Sequence, residues 1–278
     1  MKIGISNCSN GRPENQREII EKLCSYLNEL GIETIQVKHM YSPKGSMASG
    51  TGRVRAEELM ELYHNPDIKW IFDVSGGDLG NEIIPYLDYD YIAGTDKVLW
   101  GRSDLSTVIN SLYTLAGKSS VLWQPKHMFR DYPELQQARF LDYLLHNGNS
   151  LFDLNYEFLQ GSHMEGLAIG GNMRCFLKLA GTRYWPDMRG KVVVLEALES
   201  TEALVRTDFS HLEELGVFDQ VAGVLLGTYT VFEQSDTKYT VFDILKEHIN
   251  SDLPVAQTRE IGHFLDSKAI KIGEYVSF

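Results

Sequence analysis

A serine, a glutamate and a histidine far apart in the chain each occupy a place where a side chain can do chemistry. Ser103 lies in Gly101-Arg102-Ser103-Asp104, between the apolar segment KVLW and a stretch with helical periodicity. A serine there can cap the helix, because Ser and Asp both accept hydrogen bonds from the free N–H groups of a first turn. It can equally form a nucleophile elbow, in which a tight strand-to-helix turn lifts the hydroxyl out of the sheet and aims backbone N–H groups at a developing oxyanion. Gly101 permits such a turn, although Leu105 stands where the Gly-x-Ser-x-Gly pattern has its second glycine. Glu196 ends KVVVLE; either the strand carries it into apolar surroundings, where a carboxylate needs a partner, or the strand stops short and leaves it solvated. His263, in REIGHFLD after Gly262, reads as a loop histidine or as a proton acceptor. Taken together the three have a chemical logic: a serine needs a base to remove its proton, and an imidazole needs an acceptor to fix its tautomer and steady its cation. Spacing alone does not show that they meet.

A fourth feature is Ser75-Gly76-Gly77-Asp78-Leu79-Gly80, which closes the apolar segment IKWIFDV. A glycine-rich turn at the carboxyl end of a parallel strand lies where open α/β sheets bind ligands, though a plain tight turn has the same composition. Gly-x-Gly-x-x-Gly is missing from the first strand-to-helix turn and no Walker motif occurs, so nucleotide binding is not expected from these motifs, and no cofactor is expected. Cys8, Cys24 and Cys175 are odd in number and widely spaced, which argues for reduced thiols over a disulfide framework or a zinc site. The eight histidines show no metal-ligand spacing, and no metal is expected. Lys and Arg total 26 against 38 Asp and Glu, a net charge of −12 with no basic run, so nucleic acid is not an expected partner. No apolar run reaches membrane-spanning length, and MKIGIS leads straight into a strand pattern; a cytoplasmic location and no membrane partner are the expectation.

The elements that must position these residues alternate. KIGIS is a short apolar strand; Ile19, Ile20, Leu23, Leu27 and Leu30 recur at helical spacing across 14–30, and Gly31 ends that helix. IETIQV, a helix at RVRAEELMELYHN, the strand IKWIFDV, VLWG, the helix after Ser103 and SVLWQ follow. This order predicts an N-terminal α/β domain with a parallel sheet at 1–150, carrying the serine. After the helix PELQQARFLDYLLHN the chain reads as irregular to Gly161. From 163 to 278, LAIGGNM, KVVVLEAL, VAGVLLGTY, LPVAQ and AIKIGEYVSF, with helices at 201–215 and 241–249, predict a smaller C-terminal α/β domain of mixed sheet carrying the glutamate and histidine.

Four ordered blocks resemble the LD-carboxypeptidase family of serine peptidases, which includes microcin C immunity peptidases: RAEELMELYHNPDIKWIFDVSGGDLGNEIIPYLDYD, GRSD, GLAIGGNMRCFLKLAGTRYWPDMRGKVVVLEALES and IGHF. The resemblance implies Ser103 as nucleophile, Glu196 and His263 as its triad partners, and an oxyanion hole from the N–H of Asp104 and the turn at Gly77. It implies a metal-independent homodimer that cuts an amide beside a free carboxyl end, in a murein tetrapeptide or, in the immunity branch, in a peptidyl or aminoacyl nucleotide. A muropeptide-binding protein without turnover is the alternative from another class. Arg102 replaces the family's usual tyrosine, and is expected either to attract the substrate carboxylate or to serve structurally. SNCSNG and DSKAIKIG also depart from the family pattern, beside the pocket and away from the proton relay.

Overall fold

Apolar residues at helical spacing in the first helix, Ile20, Leu23, Cys24 and Leu27, are all buried against a sheet whose strands begin with KIGIS. The computed structural model describes residues 1–278. Its first half runs β1 (Lys2–Ser6), α1 (Arg17–Glu29), β2 (Glu33–Gln36), α2 (Gly52–His64), β3 (Ile68–Asp73), α3 (Tyr89–Ala93), β4 (Val98–Gly101), α4 (Leu105–Ala116), β5 (Ser120–Leu122) and α5 (Pro133–His146). Its second half runs β6 (Glu157–Gln160), β7 (Glu165–Asn172), α6 (Met173–Leu177), β8 (Lys191–Ala197), α7 (Glu202–Glu214), β9 (Gly223–Tyr229), α8 (Thr230–Glu233), α9 (Val241–Leu245), β10 (Val255–Gln257), β11 (Ile270–Ile272) and β12 (Tyr275–Ser277).

Two six-stranded sheets result, in the orders β11-β5-β4-β3-β1-β2 and β12-β7-β8-β9-β10-β6. The first is parallel from β5 to β2, as the alternation of strand and helix requires, and gains one antiparallel strand when β11 pairs with β5. The second is parallel from β7 through β10, with β6 and β12 antiparallel at its edges. Three expectations are refined here. The stretch read as irregular contains β6, and the single C-terminal segment AIKIGEYVSF divides between the two sheets, turning at Gly273 with φ of 85°. The helix expected over 241–249 ends at Leu245; the Glu247 and His248 N–H groups bond three residues back, to Ile244 and Leu245, and tighten the last turn.

One face of the first sheet packs on α1 and α5 through Phe72, Trp100, Trp123 and Phe140. The other face shares a continuous apolar core with the second half, from Leu59, Leu105 and Val108 to Ile169, Leu195 and Leu226. Polar contacts fix the alignment within it. Asn110 of α4 donates to the Gly170 carbonyl at 2.8 Å and accepts from the Gly170 N–H at 2.9 Å, while Ser106 Oγ accepts from Asn172 N at 2.8 Å. The helix that follows Ser103 is thus locked to β7 of the other sheet.

Candidate active site

Strand β4 ends at Gly101, whose missing side chain is a steric requirement: a Cβ there would come within 2.8 Å of Leu105 Cγ. The tight turn that follows places Ser103 in the left-handed region, with φ of 64°, before α4 begins at Leu105. A non-glycine residue there is strained and persists only when its surroundings over-determine it. The neighbouring aspartate supplies that restraint. Asp104 is fully buried; one oxygen accepts from Ser9 Oγ and Gly80 N, each at 2.6 Å, and the other pairs with Lys178 Nζ. A single carboxylate therefore ties the Ser103 turn to the loop after β1, to the glycine-rich turn after β3 and to the end of α6.

The glycine-rich turn is held from both sides. Asp73 at the end of β3 accepts from Cys8 N at 2.6 Å, Ser6 Oγ at 2.9 Å and Ser75 N at 2.8 Å, and Ser75 Oγ also donates to it. Across the turn, Arg174 pairs with Asp78, and Lys178 donates to the Asp78 carbonyl at 2.9 Å. Gly77 has φ of 124° and lies against the Asn10 side chain, so only glycine fits. The backbone N–H groups of Gly77 and Asp104 take part in no backbone hydrogen bond. They flank the serine from two separate turns.

In the second half, the pairing of β8 with β9 shifts register between Leu195 and Ala197, so that Gly227 and Thr228 together oppose Glu196. Such an irregularity re-aims a side chain. A Cβ on Gly227 would strike the Ile261 carbonyl at 2.5 Å and Glu196 Cβ at 2.9 Å, which shows how closely the histidine loop docks on this bulge. Thr228 N donates to the same Ile261 carbonyl at 2.8 Å. Glu196, completely buried, lies 2.6 Å from His263 Nδ1, whose side chain is 6% exposed. Glu199 is exposed and plays no part in this pairing.

A cavity of about 720 Å³ brings Gly77, Arg102, Ser103 and His263 to one wall system. His263 Nε2 is buried without a hydrogen-bond partner, and no hydrogen bond joins it to Ser103. Catalytic hydrogen bonds of this kind often close only around substrate. Arg102, 8% exposed, donates to the Gly262 carbonyl and to Ser267 Oγ at 3.2 Å, and its other terminal nitrogen lies 3.0 Å from His127 Nε2. The turn after β4 thereby grips the loop of His263. Burial lowers the Arg102 guanidinium to about 10, with Glu196 opposing the shift, and burial beside that guanidinium drives His127 far below the usual imidazole range.

Residues 3–122 match the profile of the LD-carboxypeptidase N-terminal domain and residues 165–278 that of the LD-carboxypeptidase C-terminal domain. The chain belongs to the LD-carboxypeptidase family. It is 27% identical to the microcin C7 self-immunity protein MccF of Escherichia coli, over 84% of this chain and 79% of that one. It is 23% identical to the murein tetrapeptide carboxypeptidase of Pseudomonas aeruginosa, over 92% of this chain and 87% of that one. A solved structure of the immunity protein with aspartyl sulfamoyl adenosine superposes with a TM-score of 0.88, covering 100% of this chain and 92% of that one at 23% identity, and so shares the fold. The LD-carboxypeptidase pattern did not reveal Arg12, Lys126, His127 or Arg130, which line the cavity or its floor. Their signal was positional: each follows the carboxyl end of a parallel strand, β1 or β5, where open α/β sheets place ligands.

No helix is long and apolar enough to cross a membrane. No group of three or more His, Cys, Asp or Glu side chains is arranged to hold a metal ion, and the three cysteines are buried and unpaired.

Proposed function

We propose that this chain is a serine carboxypeptidase with a Ser103–His263–Glu196 triad, hydrolysing an amide next to a free carboxyl end, with murein tetrapeptides as the main substrate class. The reading is carried by one arrangement: the buried Glu196–His263 pair leaves Nε2 without a partner beside the cavity that holds Ser103 on its strained turn. His263 Nε2 takes the proton of Ser103 Oγ as the oxygen attacks the scissile carbonyl, then passes it to the leaving amine. Water repeats the cycle on the acyl-enzyme. Glu196 holds Nδ1 protonated and steadies the imidazolium. The N–H groups of Gly77 and Asp104 receive the oxyanion, and Arg102, whose Nε is unpartnered, adds positive potential toward the substrate carboxylate while its Nη1 holds the loop of His263.

In this reading residues 1–150 supply the nucleophile and oxyanion donors, and residues 163–278 the acid–base pair. The second reading, hydrolysis of a peptidyl or aminoacyl nucleotide, is favoured by the match to the immunity protein over 84% of this chain. A side-by-side assay of murein tetrapeptide and a peptidyl adenylate decides between them. Release of terminal D-alanine supports the first, cleavage of the adenylate alone replaces it with the second, and turnover of neither rejects both.

A further inference from the structure

The Ser103 cavity carries an excess of positive charge that the triad does not use. Its lining includes Arg12, Lys126 and Arg130 and not one Asp or Glu, in a chain with a net charge of −12. None of the three cations forms an ion pair. Lys126 Nζ donates to the Val74 carbonyl at 2.8 Å, and Arg12 Nη1 reaches the same oxygen at 3.5 Å. Two like charges are thus held against one carbonyl, an arrangement whose repulsion an anion would relieve. Arg12 keeps a buried Nε without any acceptor; its remaining contact is Gln16 at 2.7 Å. Arg130 is exposed and bonds to no protein acceptor through its side chain. Asp73, the carboxylate that partly offsets Arg12 and Lys126, has both oxygens committed to Ser6, Cys8 and Ser75.

We infer that Arg12, Lys126 and Arg130 form a subsite for a compact, multiply charged oxyanion, a phosphoryl group or paired carboxylates, borne by the substrate that enters the Ser103 cavity. Three donors of two geometries, two guanidinium forks and one ammonium, suit an oxygen-rich group better than a single carboxylate. The location serves the reaction. Val74 directly precedes Ser75-Gly76-Gly77, so an anion seated there registers the substrate against the turn that bears the Gly77 N–H. Burial and the surrounding guanidinium groups hold Lys126 well below the usual lysine range, and a bound oxyanion reverses that disadvantage.

This inference deepens the hydrolase reading and depends on it only for the word substrate, because anion binding needs no turnover. The test is calorimetric titration of Ser103→Ala protein with inorganic phosphate and, separately, with succinate at matched ionic strength. Millimolar binding of at least one is expected, weakened roughly tenfold or more in Arg130→Gln and Arg12→Gln backgrounds, as loss of one charge-assisted contact requires. Arg130→Gln removes no contact within the protein and keeps the test clear of misfolding; thermal melts verify it. The tighter anion identifies the group, phosphoryl or dicarboxylate. No heat with either anion, or affinity unchanged by both substitutions, overturns the subsite. A failure of the wild-type protein to cleave any amide would reject the hydrolase and leave the binding result standing.

Discussion

Around Ser103 the buried polar groups are tied down: Asp104 reaches Ser9, Gly80 and Lys178, and Asp73 reaches Ser6, Cys8 and Ser75. Around His263 they are left open. Glu196 Oε1, Thr228 Oγ1, His263 Nε2 and Arg102 Nε are all buried without a partner. Unmade hydrogen bonds are expensive to bury, so these four atoms, with Arg12 Nε, Gln124 Oε1 and His127 Nδ1 elsewhere in the lining, mark polar capacity the fold itself does not use. The tied side fixes where Ser103 and the N–H groups of Gly77 and Asp104 stand, the attacking oxygen and oxyanion donors of the proposed mechanism. The open side keeps the donors and acceptors that the proposed proton transfer would use.

Substitutions on the two sides should therefore fail differently, turnover being lost on the open side and in the nucleophile itself, stability on the tied side. Ser103→Ala carries the largest expected effect, a fall in kcat on the order of 10⁴ to 10⁶ with substrate binding retained. Near-normal turnover in a well-folded variant would end the nucleophile assignment. Glu196→Gln comes next. An amide N–H facing His263 favours the wrong tautomer, and the corresponding change in a Ser-His-Asp protease, a different protein, lowers kcat by about 10⁴. Here a loss on the order of 10² to 10⁴ is expected, because the longer glutamine can swing its oxygen round. Glu199→Gln, altering an exposed side chain, should stay within about twofold; a reversed ranking of the two variants assigns the triad to the other carboxylate.

Asp104→Asn tests the tied side. It removes the charge from a buried group with three partners and should cost about 2–4 kcal/mol in denaturant-measured stability. An unchanged midpoint would show that the turn is held by something else. His127 gives a smaller, pH-dependent effect. Its folded pKa lies below the ordinary 6.5, so protons favour the unfolded chain: stability is full above about pH 6.5 and declines as pH falls below it. The wild type should lose up to about 1.4 kcal/mol per pH unit relative to His127→Gln between pH 6.5 and 5. Parallel stability curves would mean that the imidazole accepts its proton without cost. The smallest expected effect is none: dialysis against EDTA and a tighter zinc chelator should leave hydrolysis unchanged, and loss restored by added metal would contradict the triad.

How much of this was legible in the chain varies by region. The alternation that makes the first sheet, and the strand-turn-helix around Ser103, are local patterns and could be read directly. Glu196 could be placed at a strand end but not chosen over Glu199, because its burial depends on a bulge made by β9 and on the loop that brings Ile261 against Gly227. Arg12 and Lys126 carried no local signature at all; they become neighbours only when β1 and β5 bring their trailing loops to one end of the sheet. β6 was missed because EFLQ is short, partly exposed and lies at a sheet edge, where apolar alternation is weak.

The pairing of Ile270 with Leu122 and of Ile272 with Ser120 bears on how the chain is made. Strand β5, the neighbour of the strand that leads into Ser103, leaves the ribosome long before its antiparallel partner does. Until residues 270–272 follow, its outer edge is bare, a template for wrong pairing that a nascent chain must keep covered or disfavour. Contacts of such long sequence separation also form late and slowly. The proposed triad would then be assembled only in the final stage of folding, and a chain stalled before β11 would hold Ser103 without the finished cavity around it.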